Sequence, residues 1–105
     1  MRRGSLAPPV RYLTASLDPM PTISLFFGIA VRMYYRDHPP PHFHAYYQDH
    51  EARIAIDNLE VISGYLPRRA LALVVEWAEL HYQELQANWT SAEQRKPLSD
   101  IDPLE

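Results

Sequence analysis

From Leu25 to Arg36 the chain alternates. Ile29, Val31, Met33 and Tyr35 interleave with Ala30, Arg32, Tyr34 and Arg36. A period of two belongs to a half-buried strand. The run is therefore read as one strand, with the first set facing the core and Gly28 marking a bulge or bend. A second strand is predicted from His42 to Gln48. A third covers Ala52 to Asp57, with Ala52, Ile54 and Ile56 inward and Asp49-His50-Glu51 as the turn before it. Residues 59–65 form a short fourth strand or an extended approach to a helix, after a turn at Asp57-Asn58. Connections this short join antiparallel neighbours.

The period changes at Leu66-Pro67. Leu71, Val74, Val75, Ala78, Tyr82, Leu85 and Trp89 recur at helical spacing, an apolar stripe fit to lie on a sheet. Proline is favoured in a first helical turn because its missing donor has no partner there. One helix of roughly six turns is predicted from about residue 67 to Trp89. The polar tail from Ser91 to Glu105 has only Ile101 and Leu104 to tack it down. The fold class is α+β: a three- to four-stranded antiparallel sheet packed by one long C-terminal helix.

The first 19 residues show no periodicity and are broken by Pro8-Pro9 and Asp18-Pro19. They are read as a flexible extension, and Met20-Pro21-Thr22-Ile23-Ser24 as a fresh start at which translation could begin. Residues 20–105 then make a single domain. The charge is uneven. Arg2, Arg3 and Arg11 against Asp18 give residues 1–19 a net +2, which leaves −5 for the rest of a chain whose total is −3. An acidic domain lacks the broad basic surface that nucleic acid binding uses. There is no Cys, which excludes thiol catalysis, disulfides and thiolate zinc sites. No apolar run is long enough for a membrane span, and residues 1–19 hold no apolar core of signal-peptide type, so no secretion signal is expected. A cytoplasmic protein is predicted.

The chemically dense stretch is Asp37-His38-Pro39-Pro40-Pro41-His42-Phe43-His44-Ala45. Consecutive prolines cannot enter a central strand and favour a stiff extended turn. If a strand begins at His42, then His42 and His44 share one face, with Phe43 and Ala45 on the other. His-x-His on a strand is a recurring metal-ligand spacing. A further ligand would come from Asp37, His38 or the helix. The alternatives are a metal-free polar site and a pair of hydrogen-bonded structural histidines.

A second helix stripe carries Trp77, His81, Glu84 and Asn88, about 100° from the apolar one. A His with Glu at i+3 can form an acid–base pair. The blander alternative has Trp77 at a sheet edge and the other three tying down a loop. Arg68 and Arg69 at the helix start, with Arg32 and Arg36 on the first strand, are candidates for anion binding. There is no Gly-rich phosphate loop, nucleophile elbow or His-Glu-x-x-His.

Several of these pieces occur together in one known family. Met20 to Ser24, Gly28-Ile29, Arg32-Met33-Tyr34, Asp37-His38, Pro40 to Ala45, Trp77 to His81, Glu84-Leu85 and Asn88-Trp89 together resemble the small prokaryotic family called domain of unknown function 4160. The ending Ile101 to Leu104 is similar as well. Members usually begin at the Met-Pro-Thr-Ile-Ser segment. Their genes often sit beside genes for domain of unknown function 2442. The resemblance implies a two-gene module of toxin–antitoxin type and carries over no catalytic residues.

Two functions of different kind follow. One is a partner-binding module that pairs with the product of the adjacent gene, or with itself, through a sheet edge or a surface bearing Tyr34, Tyr46 and Tyr82. The other is a small hydrolase acting on RNA. There His42 or His44 would face His81 and Glu84 as the catalytic group. Arg32, Tyr34, His38, Arg68, Trp77 and Asn88 would line the binding surface. No cofactor is required, although His42 and His44 could hold a divalent metal.

Overall fold

The computed structural model describes residues 19–105. The predicted extension, apart from its last residue, lies outside the described residues. Five strands form one antiparallel sheet in chain order: β1 (Thr22–Phe26), β2 (Ile29–Arg32), β3 (His42–Tyr47), β4 (His50–Ala55) and β5 (Val61–Gly64). Two helices follow, α1 (Arg68–Leu80) and α2 (Tyr82–Glu93). The α+β class holds. The strand count is higher than predicted, and the one long helix is two.

The first difference lies at Gly28. The run read as one strand from residue 25 to 36 is mostly a hairpin, with Phe26 opposite Ile29 across a two-residue turn. Phe27 and Gly28 have φ of 50° and 79°, the signs of a type I′ turn, whose twist matches that of paired strands. Of the predicted inward set, Ile29, Val31 and Met33 are fully buried and Tyr35 only partly. β1 is a separate strand, with Ile23 and Phe26 buried and Leu25 out in solvent. A register shift between Thr22 and Ser24 interrupts its alternation. The turn before β4 also moves: Tyr47 pairs with His50, so Gln48 and Asp49 alone make it, and His50 and Glu51 belong to the strand.

The second difference lies at His81. Its φ of −120° and ψ of 29° leave the helical region, and its N–H is shared between the carbonyls of Trp77 and Ala78. The apolar stripe slips at this break. Val74, Ala78, Leu85 and Trp89 are buried, but Tyr82 faces solvent. Trp77, assigned by periodicity to the polar stripe, is fully buried. Its ring lies 5.4 Å from that of Phe26 and 6.0 Å from that of Phe43. Trp77 thus sits over the sheet where β1 and β3 present their aromatic residues, not at a sheet edge.

The C-terminal segment completes the core. Ile101 and Leu104 are buried. The Trp77 indole N–H donates to the Asp102 carbonyl at 2.8 Å. The buried Asn88 amide brackets Ser99, donating to its carbonyl and accepting from its N–H, both at 2.9 Å. The Ile101 N–H donates to the Ile23 carbonyl at 2.8 Å, which sets the segment against β1. Asn88→Ala would leave both backbone groups of Ser99 without their partner. A loss of about 1–3 kcal/mol is expected in urea denaturation, with earlier proteolysis near residue 99. An unchanged midpoint would mean that water replaces the amide fully.

Candidate functional site

β3 supplies the site because its alternation divides two chemistries. Phe43 and Ala45 enter the apolar core beneath the helices. His42 and His44 project from the opposite face, with ring centroids 5.2 Å apart. Both are buried. The loop of residues 33–41 folds over them and delivers Asp37.

Asp37 is the hub. Its Oδ2 lies 2.9 Å from His42 Nε2 and 3.2 Å from His44 Nε2. Its Oδ1 accepts the His38 backbone N–H at 2.8 Å. Burial alone would raise its pKa. The His38 N–H, the His44 hydrogen bond and the nearby imidazoles outweigh that, and the carboxyl sits below its ordinary value. The other ring nitrogens are also engaged. His42 Nδ1 is 2.8 Å from the Pro40 carbonyl, and His44 Nδ1 is 3.1 Å from Glu51 Oε2.

Aromatic rings wall the cluster. Tyr34 lies 4.4 Å from His44 between centroids, Tyr46 stacks at 6.3 Å, and Trp89 of α2 stands 5.4 Å from His42. The Tyr34 and Tyr46 hydroxyls are 3.3 Å apart. Burial, then the Tyr34 hydroxyl and the Glu51 charge, push the Tyr46 pKa well up. Tyr46 therefore remains a neutral phenol, not a base. Arg32 pairs across the sheet with His44. Its guanidinium lies 5.1 Å from the Tyr46 ring centroid, a cation–π contact.

The remaining predicted residues lie elsewhere. His81 and Glu84 do pair with each other, Nδ1 to Oε1. They do so at the helix break, and the His81 ring packs on Trp77. Trp77 meets the Phe43 face of β3, whereas His42 and His44 occupy the reverse face. Among the described residues no hydrogen bond or ring contact joins the two groups. The helix contributes Trp89 to the histidine cluster, not His81 or Glu84. Trp77 and Asn88 have their polar atoms committed to the C-terminal segment. His38 offers its backbone and leaves its ring exposed, while Arg68 and Arg69 are exposed in the first turn of α1.

Glu51 was hidden by its assignment to a turn. The two-residue loop is the signal that could have found it. It sets Glu51 opposite Tyr46, on the face of His44. Asp37 was named among the possible further ligands, with no periodicity in its loop to single it out from His38.

The fold and site define a small α+β domain with an Asp-His-His cluster, its two histidines buried, on the reverse of its central strand. The family model described as Domain of unknown function (DUF4160) matches residues 28–90. The chain belongs to that family. The comparison with curated proteins found no match, and neither did that with solved structures. Among the described residues no helix is long and apolar enough to cross a membrane.

Proposed function

We propose that the protein is a partner-binding component of a two-gene module of toxin–antitoxin type, and that β5 is its docking strand. The observation that carries this reading is the asymmetry of the sheet's two edges. β1 is flanked by the C-terminal segment through Ile101. β5 pairs only with β4 among the described residues, and all four of its residues are exposed. Val61, Ile62 and the adjoining Tyr65 present apolar surface there. An open edge offers a row of backbone donors and acceptors to an incoming strand. Natural edges are commonly guarded by Lys or Pro. Val61 to Gly64 holds neither.

The partner is a small protein that adds a strand, expected from the adjacent gene of the domain of unknown function 2442 type. Co-expression should give one complex by size exclusion. Ile62→Lys should abolish it, with folding stability changed by no more than about 0.5 kcal/mol. A complex that survives Ile62→Lys would remove β5 as the docking strand. A chain that never co-purifies with the neighbour would remove the module.

The hydrolase alternative needs His42 or His44 to work with His81 and Glu84. Nothing in the site favours it in that form, because among the described residues no hydrogen bond or ring contact joins the two pairs.

A further inference from the structure

We infer that Asp37, His42 and His44 form a binding site for one divalent first-row transition-metal ion. Four ring nitrogens of two imidazoles all face acceptor oxygens: the Pro40 carbonyl, a Glu51 carboxylate oxygen, and Asp37 Oδ2 twice. A neutral imidazole carries one N–H, so two rings supply two donors for four contacts. In the neutral tautomer protonated on Nδ1, His42 donates to the Pro40 carbonyl and His44 to Glu51, as a metal at the Nε2 side requires. Both Nε2 lone pairs then point at one carboxylate oxygen. A cation at that point turns lone-pair repulsion into coordination.

The dimensions agree. The three ligand atoms lie within 4.8 Å of one another, and two of their separations are 2.9 and 3.2 Å. Ligands held about 2.1 Å from a tetrahedral ion stand roughly 3.4 Å apart. The two Asp37–His separations would open by about 0.2–0.5 Å to reach that value. The outer contacts also have the form expected around a metal. A ligating histidine almost always donates its other ring N–H to a backbone carbonyl or a carboxylate, which fixes the tautomer and the ring plane. His42 has the carbonyl and His44 the carboxylate.

The scaffold is rigid where it must be. His42 and His44 sit on the middle strand of five, paired on both sides. Asp37 is held by the His38 N–H in a loop stiffened by Pro39, Pro40 and Pro41. Two imidazoles and one carboxylate, without thiolate, suit Zn²⁺, Fe²⁺ or Mn²⁺ better than the all-oxygen preference of Ca²⁺ or Mg²⁺. Three protein ligands leave at least one position for water or another ligand. The Asp37 side chain is 17% exposed and the histidines 4%, so that position opens on the Asp37 side. Glu51 is a positioning residue, acting on the metal through His44.

The test uses the full chain without a polyhistidine tag. Zn²⁺ is titrated by isothermal calorimetry, and bound metal is counted by elemental analysis after gel filtration. One equivalent is expected, with a rise in melting temperature on adding Zn²⁺. Asp37→Asn, whose side chain is partly exposed and isosteric, should lower affinity at least about 100-fold and abolish the rise. Glu51→Gln should keep one equivalent and weaken it by about 10–100-fold, the range for outer-shell partners. His50→Gln should change nothing. Binding well below one equivalent, or one equivalent held as tightly by Asp37→Asn as by the native chain, would overturn the site. In that event the cluster is a hydrogen-bonded structural element. His44→Gln should likewise lose the bound equivalent; if it fails to fold, Asp37→Asn decides alone.

Discussion

Trp77→Ala is expected to bring the protein close to unfolding at 25 °C. The side chain is fully buried and bridges three parts of the fold: Phe26 on β1, Phe43 on β3 and the Asp102 carbonyl. Removing a buried Trp costs about 3–5 kcal/mol. The stranded carbonyl adds about 1–3 kcal/mol where water does not reach it. Small domains have only about 5–15 kcal/mol in total. Urea denaturation followed by circular dichroism reads the loss. Trp77→Phe separates the two contributions, since it keeps most of the ring and removes the donor. It should cost less and expose residues 99–104 to early hydrogen exchange. If both variants lose under about 1 kcal/mol, far below a buried-Trp deletion, then α1 does not hold the sheet through this ring.

The second large effect is expected at Gly64, and a comparison with Gly28 isolates its cause. Both glycines have positive φ, 82° and 79°. An alanine in that region costs about 1–2 kcal/mol from backbone strain alone. At Gly28 the new Cβ would meet only the Tyr47 ring, at an ordinary 3.6 Å. At Gly64 it would lie 2.2 Å from the Glu51 carbonyl oxygen, and backbone must move. That carbonyl also accepts the Tyr65 N–H, so the shift loosens β5 from β4 where β5 ends. Gly64→Ala should therefore cost clearly more than Gly28→Ala in the same denaturation assay, and hydrogen exchange should quicken across residues 61–65. Equal costs would show that the strand absorbs the clash. Because Glu51 also orients His44, Gly64→Ala should disturb the histidine cluster, whereas Gly28→Ala should not.

Much of the sheet was legible because strand burial is periodic. Ile29, Val31, Phe43, Ala45, Ala52 and Ile54 alternate with polar or small residues and are all buried. The same period placed His42 and His44 together on one face. It could not divide β1 from β2. The buried phase slips by one across Phe27-Gly28, from Phe26 to Ile29, but the apolar run Leu25-Phe26-Phe27 hides the slip, because a two-residue hairpin reverses direction without a polar linker. Helical periodicity failed for a related reason. The break at His81 comes from one residue's dihedral angles, with neither proline nor glycine to announce it. Trp77 then looked polar by phase and proved to be core.

What the sequence by itself determined is the class of the fold, the inward sets of β2 and β4, and the pairing of His42 with His44. All three follow from local spacing, which the backbone geometry of a strand converts directly into a shared face. The tertiary structure alone decided their chemistry. Asp37 reaches both Nε2 atoms from a loop with no period to aim it. Glu51 reaches His44 only through the β3–β4 register. Trp89 reaches His42 only after the helix has broken at His81. Side chains brought together across the sheet are placed by register and packing, and these emerge only once the whole core has closed.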